Sequence, residues 1–272
     1  MRLAALLILL LVASPAAAQS FTYAPPGELV GGSGTGRVDD TVYAPGIRFP
    51  IESAPAYANS QVWGRGGSQG GGGSQCDAAN FSYPWHDNYC ETRTWSMPLC
   101  PAGEGHQGQD IRAASCENRV HWAVAAEDGT ITSIGSYSVY LTSPDGTRFD
   151  YLHMNDVAVH VGDHVTRGQR MGKVSNQFDG TGTTVHLHFN IYRNVSGVGM
   201  VYVPTYMSLV RSYEALIAPP LPPDAGVASV GDAALVPASG DVVAGGCSTG
   251  GTSTGAALLA LLLIFCAPRR SR

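Results

Sequence analysis

Val185-His186-Leu187-His188-Phe189-Asn190-Ile191-Tyr192 is the run from which the fold and the chemistry both follow. On an extended strand, alternate side chains share a face. His186 and His188 then point the same way, about 7 Å apart at Cα, while Leu187 and Phe189 turn toward a core. One imidazole can bind a metal while the other reaches a water on that metal. Upstream, Gly105-His106-Gln107-Gly108-Gln109-Asp110 adds an imidazole and a carboxylate four positions apart. That separation lets them converge by either helical or extended spacing. Two imidazoles and a carboxylate, with a fourth position open, form the ligand set of a catalytic rather than a structural zinc.

Working outward, short strand runs alternate with turns. Trp122 to Ala126 is followed by Glu127-Asp128-Gly129 and Thr130 to Ile134. Ser138 to Thr142 and Thr147 to His153 flank Pro144-Asp145-Gly146, and Asp-Gly between strand runs signals a hairpin. Val157 to Val161 and Gln169 to Ser175 are further runs. No long segment of helical period appears before Tyr206, so an all-β, β-rich domain is expected. Asp128 and Asp163 sit in turn contexts and shape turns.

The formal charge of −5 is mild, and no Lys/Arg-rich run suggests nucleic acid. Arg2, the apolar stretch Leu3 to Val12 and Ala16-Ala17-Ala18 read as a signal peptide over residues 1–18. Residues 19–45, rich in Gly, Pro and small residues, read as a flexible, exposed lead segment. Its Gly31-Gly32-Ser33-Gly34-Thr35-Gly36 lacks the flanking strand and helix of a phosphate loop. From Ile47 the chain becomes strand-like, and Arg65 to Gln75 is Gly/Ser-rich and reads as flexible. Residues 214–246 read as a Pro/Ala/Gly-rich spacer. Residues 247–272 combine Cys247, an apolar run from Ala256 to Ala267, and Arg269, Arg270 and Arg272. That run is short for a membrane span.

Export accounts for the cysteines. Cys76, Cys90, Cys100 and Cys116 favour two disulfides, and none has the close paired spacing of a cysteine zinc site. Sequence alone allows three pairings. Local pairing is the expectation, Cys76 with Cys90 and Cys100 with Cys116. The second bridge would close a loop around His106 and Asp110.

Gly105 to Ile111, Tyr151-Leu152-His153 and His186-Leu187-His188-Phe189 together resemble the three signatures of lysostaphin-type zinc metallopeptidases. The turn segment Val161-Gly162-Asp163-His164-Val165 with Arg167-Gly168-Gln169 resembles the family too. So do Phe49-Pro50 and Asn59 to Gly64, its opening strands. The resemblance covers about residues 48–193. It implies a duplicated hybrid motif fold, with antiparallel β-sheets forming an open groove and a long disulfide-bearing insertion at residues 67–104. The metallopeptidase domain would span 46–213. Val185 stands where the family usually has Pro, and Asn190 where it often has Glu; neither is a ligand. The tail resembles the myxobacterial C-terminal sorting tail. This implies processing near Cys247, with a sorting protease and the membrane as partners.

The resemblance implies one zinc ion per domain, held by His106, Asp110 and His188. His186 would be the general base, and His153 would hydrogen-bond the water or the oxyanion. Which of His153 and His186 is the base stays open. His86, His121, His160 and His164 match no motif position and are read as structural. Arg112 could contact a substrate carboxylate or simply be solvated.

The expected function is hydrolysis of peptide cross-links of peptidoglycan by an exported or surface-attached enzyme. A D-alanyl–diaminopimelate bond is the default for a wall of the usual Gram-negative kind; a pentaglycine bridge is the target if other bacteria are attacked. The alternatives are a catalytically inactive wall-binding or hydrolase-activating protein, or a metalloendopeptidase acting on secreted protein.

Overall fold

The computed structural model describes residues 20–219. The signal-peptide reading of 1–18 and the sorting-tail reading of 247–272, including Cys247, lie outside the described residues, as does most of the 214–246 spacer. Among the described residues no helix is long and apolar enough to cross a membrane.

The architecture is mostly β. In chain order the strands are β1 Tyr57–Ala58, β2 Gln109–Arg112, β3 Trp122–Val124, β4 Gly129–Ile134, β5 Ser138–Thr142 and β6 Arg148–Leu152. They continue as β7 Met154–Asn155, β8 His164–Val165, β9 Arg170–Val174, β10 Leu187–Val195 and β11 Gly199–Val203, before helix α1 Tyr206–Ile217. The larger sheet runs β1-β2-β10-β6-β5-β4-β8, with β11 also on β10. A smaller sheet runs β3-β9-β7, and every pairing between named strands is antiparallel.

β10 is the spine. Its first residues pair with β2, its later residues with β11, and its other edge with β6. Alternation along it works as the sequence suggests: Leu187, Phe189 and Ile191 are fully buried in the main core. From the neighbouring strand β6, Phe149 stacks on Phe189 and Tyr151 meets it edge-on. The Asp145-Gly146 turn joins β5 to β6 as expected; Asp145 Oδ1 accepts from the Thr147 amide at 2.9 Å. Asp128 and Asp163 likewise cap turns, accepting from the amides of Arg167 and His160.

α1 packs Tyr206, Leu209, Val210 and Tyr213, the spacing of one helical face, into the core, and Met207, Ser208 and Ser212 beside them are buried as well. Tyr213 meets Trp85 at 4.6 Å and Phe49 at 5.0 Å between ring centroids.

Several expectations are corrected. Val157 to Val161 forms no strand; Asp156, at φ +45°, turns the chain after β7, and the segment is held to the small sheet by Ala158 N–H on Met171. Asn59 to Gly64 is irregular, leaving β1 as two residues. The lead segment is not a free, exposed arm from Ser20 onward. Phe21 packs edge-on to Trp85 at 4.8 Å, Ala24 N–H donates to the Trp85 carbonyl at 2.8 Å, and Ser33 is fully buried. Apolar aromatic area outweighs the local small-residue composition here.

The disulfides also differ from local pairing. They are Cys76–Cys116 and Cys90–Cys100, with Cα separations of 5.3 and 5.4 Å. The Gly-rich segment docks on β2, where the Gln75 carbonyl accepts from Arg112 Nη1 at 3.0 Å. That places Cys76 beside Cys116, just past the end of β2. Cys90 is left beside the tight turn of Met97–Gly103, where Cys100 sits. The long bridge therefore encloses both His106 and Asp110.

Candidate metal centre

The register between β2 and β10 assembles the site. Asp110 and His188 are Cα partners on adjacent strands, so their side chains stand opposite one another on the same face. His106 arrives from the loop before β2. Gly105, at φ +152°, leads into it, and a Cβ there would lie 2.8 Å from the Cys90 Cα, a space only glycine fits. His186 lies one residue before β10, bridged to Ser175. His153 follows β6 at φ +62°, which turns its ring inward.

All five side chains are buried and close together. His106 Nε2 lies 2.9 Å from His188 Nδ1 and 3.3 Å from Asp110 Oδ1. His188 Nδ1 lies 2.9 Å from Asp110 Oδ1. A tetrahedral zinc with ligands at about 2.0–2.1 Å needs donor atoms about 3.3 Å apart. The triangle is near that size, and these three residues are a group able to hold a metal ion. The donor set of two imidazoles and one carboxylate suits zinc with an open position.

Neighbouring groups fix the ring orientations. A backbone carbonyl can only accept, so each ring nitrogen facing one carries the proton. His106 Nδ1 donates to the Asn88 carbonyl at 3.0 Å, leaving the Nε2 lone pair toward Asp110 and His188. Asn88 also accepts the Asp110 amide on its Oδ1 at 3.2 Å. His186 Nδ1 donates to the Thr184 carbonyl at 2.8 Å, and its Nε2 stands 3.5 Å from Asp110 Oδ1. His153 Nδ1 donates to the Gln177 carbonyl at 2.7 Å. Its ring packs 4.4 Å from that of His186 and 5.9 Å from Tyr137.

Electrostatics follow from burial and mutual proximity. Burial opposes the charged form of Asp110, but His106 and His186 outweigh it and hold the carboxyl well below its usual range. Burial, then the charges of His186 and His188, push His153 well below the usual imidazole value. His188 is lowered chiefly by burial. For His106, burial lowers the value and Asp110 more than restores it.

The site opens into a cavity of about 260 Å³, walled by Arg93, Trp95, Gln61, Val62 and Phe178 beside the histidines. A wider cavity of about 810 Å³ adjoins it, sharing Gln61, Val62, Phe178 and Thr183. Its walls are the Gly-rich segment and the loop before β10, and no charged side chain lines it. Asn88, Arg93 and Trp95, from the cysteine-bearing insertion, were not singled out in the sequence. No local signal marks Asn88; Arg93 and Trp95 stand inside the short Cys90–Cys100 loop, a cue that the segment is held for a purpose.

Other readings change. Arg112 is neither solvated nor in the cavity. It is fully buried beneath the Gly-rich segment, with its guanidinium 5.6 Å from the Phe81 ring, and burial lowers it to about 10. His86, His121, His160 and His164 lie outside the metal-capable group.

Residues 104–199 match the model of Peptidase family M23. No curated protein is significantly similar to the chain. Similar solved structures include a candidate glycyl-glycine endopeptidase, LytM, from Ruminococcus gnavus, with 22% identity over 62% of this chain and a TM-score of 0.40. This chain spans 61% of that one. The catalytic domain of the antimicrobial peptidase lysostaphin from Staphylococcus simulans is 27% identical over 42% of this chain and 89% of its own, with a TM-score of 0.31. The deep-sea M23 metalloprotease pseudoalterin is 22% identical over 44% of this chain and 73% of its own, with a TM-score of 0.30.

Proposed function

We propose that the protein is an exported zinc metalloendopeptidase that hydrolyses peptide cross-links of bacterial peptidoglycan. The observation that carries this reading is the triangle of His106 Nε2, Asp110 Oδ1 and His188 Nδ1, with two further imidazoles beside it at the floor of a cavity. The two disulfides fit an oxidising compartment. The signal peptide and the sorting tail, both outside the described residues, belong to the same reading and place the mature protein in the periplasm, on the outer surface or in the medium.

One zinc ion would be held by His106, Asp110 and His188, and when bound it supplies Lewis acidity that polarises the amide carbonyl and lets water ionise near neutral pH. His186 is the general base. With Nδ1 committed to Thr184, its Nε2 takes a proton from the attacking water and then delivers one to the leaving nitrogen. His153 also presents a bare Nε2, because Nδ1 is committed to Gln177 and its surroundings keep the ring neutral. It therefore accepts a hydrogen bond from the attacking water and orients it. Donation to an oxyanion would first require protonating a ring whose neighbours resist charge.

Zinc-loaded protein incubated with purified peptidoglycan should release peptides with new paired amino and carboxyl ends, identified by mass spectrometry, and should spare casein. His186→Ala should lower the rate by about 10²–10⁴-fold at unchanged zinc content. An intact wall with zinc bound overturns the reading; digestion of casein in preference to wall redirects it to secreted protein.

A further inference from the structure

The short disulfide loop does more than brace the fold. Cys90 and Cys100 close a turn that carries Arg93 and Trp95 to the wall of the metal-site cavity. Trp95 is 42% exposed, and its ring lies 6.4 Å from that of His106 at an interplanar angle of 28°. Arg93 is held rather than free. Its Nη2 donates to Glu91 Oε2 at 3.0 Å and its Nη1 to the Thr92 carbonyl at 2.7 Å. Glu91 is itself fully buried, fixed between Cys90 and Thr92, and its backbone carbonyl accepts from His106 N–H at 2.8 Å. A guanidinium has five N–H donors, and these two bonds leave the others unspent on a side chain that is 17% exposed.

The charge inventory is sparse. Among the described residues lining the metal-site cavity, Arg93 is the sole Lys or Arg and Asp110 the sole carboxylate, while the adjoining cavity is lined by uncharged residues. Asp110 is committed to the metal triangle. A substrate thus meets one fixed cation beside the reacting centre, in a partly desolvated wall. Planar guanidinium geometry matches a carboxylate with two parallel bonds.

Resting on the hydrolytic reading above, we propose that Arg93, held by Glu91 inside the Cys90–Cys100 loop, selects substrates with a free carboxylate flanking the amide that is cut. The substrate class is a cross-link through a residue that keeps its own carboxyl group, as a diamino dicarboxylic acid does. A glycyl-glycine bridge offers no such group at that place. Trp95 covers the apolar side of the same residue, while the uncharged, glycine-lined cavity takes the remaining peptide through its backbone.

The test uses one synthetic cross-linked peptide in two forms, with the flanking carboxyl free or converted to carboxamide. Binding is measured by calorimetry on zinc-loaded His186→Ala protein, and cleavage on zinc-loaded protein with His186 intact. The free acid should be preferred about tenfold or more in both arms. Arg93→Gln should bring the ratio close to one at unchanged zinc content, and Arg93→Lys should leave it intermediate. Because Arg93→Gln strands the buried Glu91, the pair Glu91→Gln/Arg93→Gln is measured alongside and should lose the preference equally. Equal binding of acid and amide, or a preference that survives in both Gln variants, overturns the proposal. Preferential binding lost with Arg93, without cleavage by the His186 protein, upholds it and defeats the hydrolytic reading instead.

Discussion

Asp87 is a buried carboxylate with a measurable signature. Its two oxygens accept from the amides of Tyr89 and Gly27 at 2.9 and 2.8 Å, yet burial dominates and raises it to about 6. The folded chain therefore holds this proton more tightly than the unfolded chain. Its contribution to stability is fully present below about pH 4 and is lost as pH rises through 6. Between pH 7 and 4.5, urea unfolding should show the wild type gaining about 2 kcal/mol relative to Asp87→Asn. A difference that does not move with pH would show that Asp87 is ionised throughout. Residues of this kind were illegible in the sequence, because their state depends on a wall of chain that folds over them later. The five residues that the structure brings together were named in the sequence by different signals: strand alternation puts His186 and His188 on one face, spacing pairs His106 with Asp110, and His153 came only with the family resemblance. Arg112 shows the converse. Two positions after Asp110, it invited a role with substrate, but the Gly-rich segment docks over it and buries it completely.

Among the elements, the two bridges divide labour. Cys76–Cys116 closes about 40 residues and Cys90–Cys100 about 10. Chain entropy assigns the longer about 4 kcal/mol of stabilisation and the shorter about 3 kcal/mol. Replacing each pair by serine should therefore cost slightly more in denaturant unfolding for the long bridge. The short bridge carries the segment that donates and accepts backbone bonds with His106, so its loss should lower hydrolysis more than its share of stability accounts for. Equal proportional losses of both properties in the two variants would refute this division. β3 to β6, β9 and β10 were readable as apolar runs, with the two Asp-Gly turns marking boundaries among β3 to β6. β11 was also within reach, since Ser196-Gly197 is a turn signal and Val201 and Val203 alternate. The pairing of the cysteines was not, because it is decided by where the Gly-rich segment lands on β2 rather than by distance along the chain.

At the scale of the whole described region, its first and last segments close over one aromatic cluster. Phe21 and Tyr23 from the first described residues meet Tyr206 and Tyr213 of α1 around Trp85, and the Tyr206 hydroxyl bonds the carbonyls of Ala24 and Trp85. A chain beginning at residue 46 uncovers that cluster; uncovering one large aromatic alone costs about 2–3 kcal/mol. Such a chain should melt well below one beginning at residue 20, or fail to fold solubly. Unchanged thermal unfolding would restore the reading of residues 19–45 as a flexible, exposed lead. The placement of Asp110 and His188 as direct partners across β2 and β10 carries a last implication. An ion gripped there stitches two strands side chain to side chain, above the backbone rungs that already join them. How tightly the centre would keep such an ion and how firmly the middle of the sheet coheres are then one quantity seen from two sides.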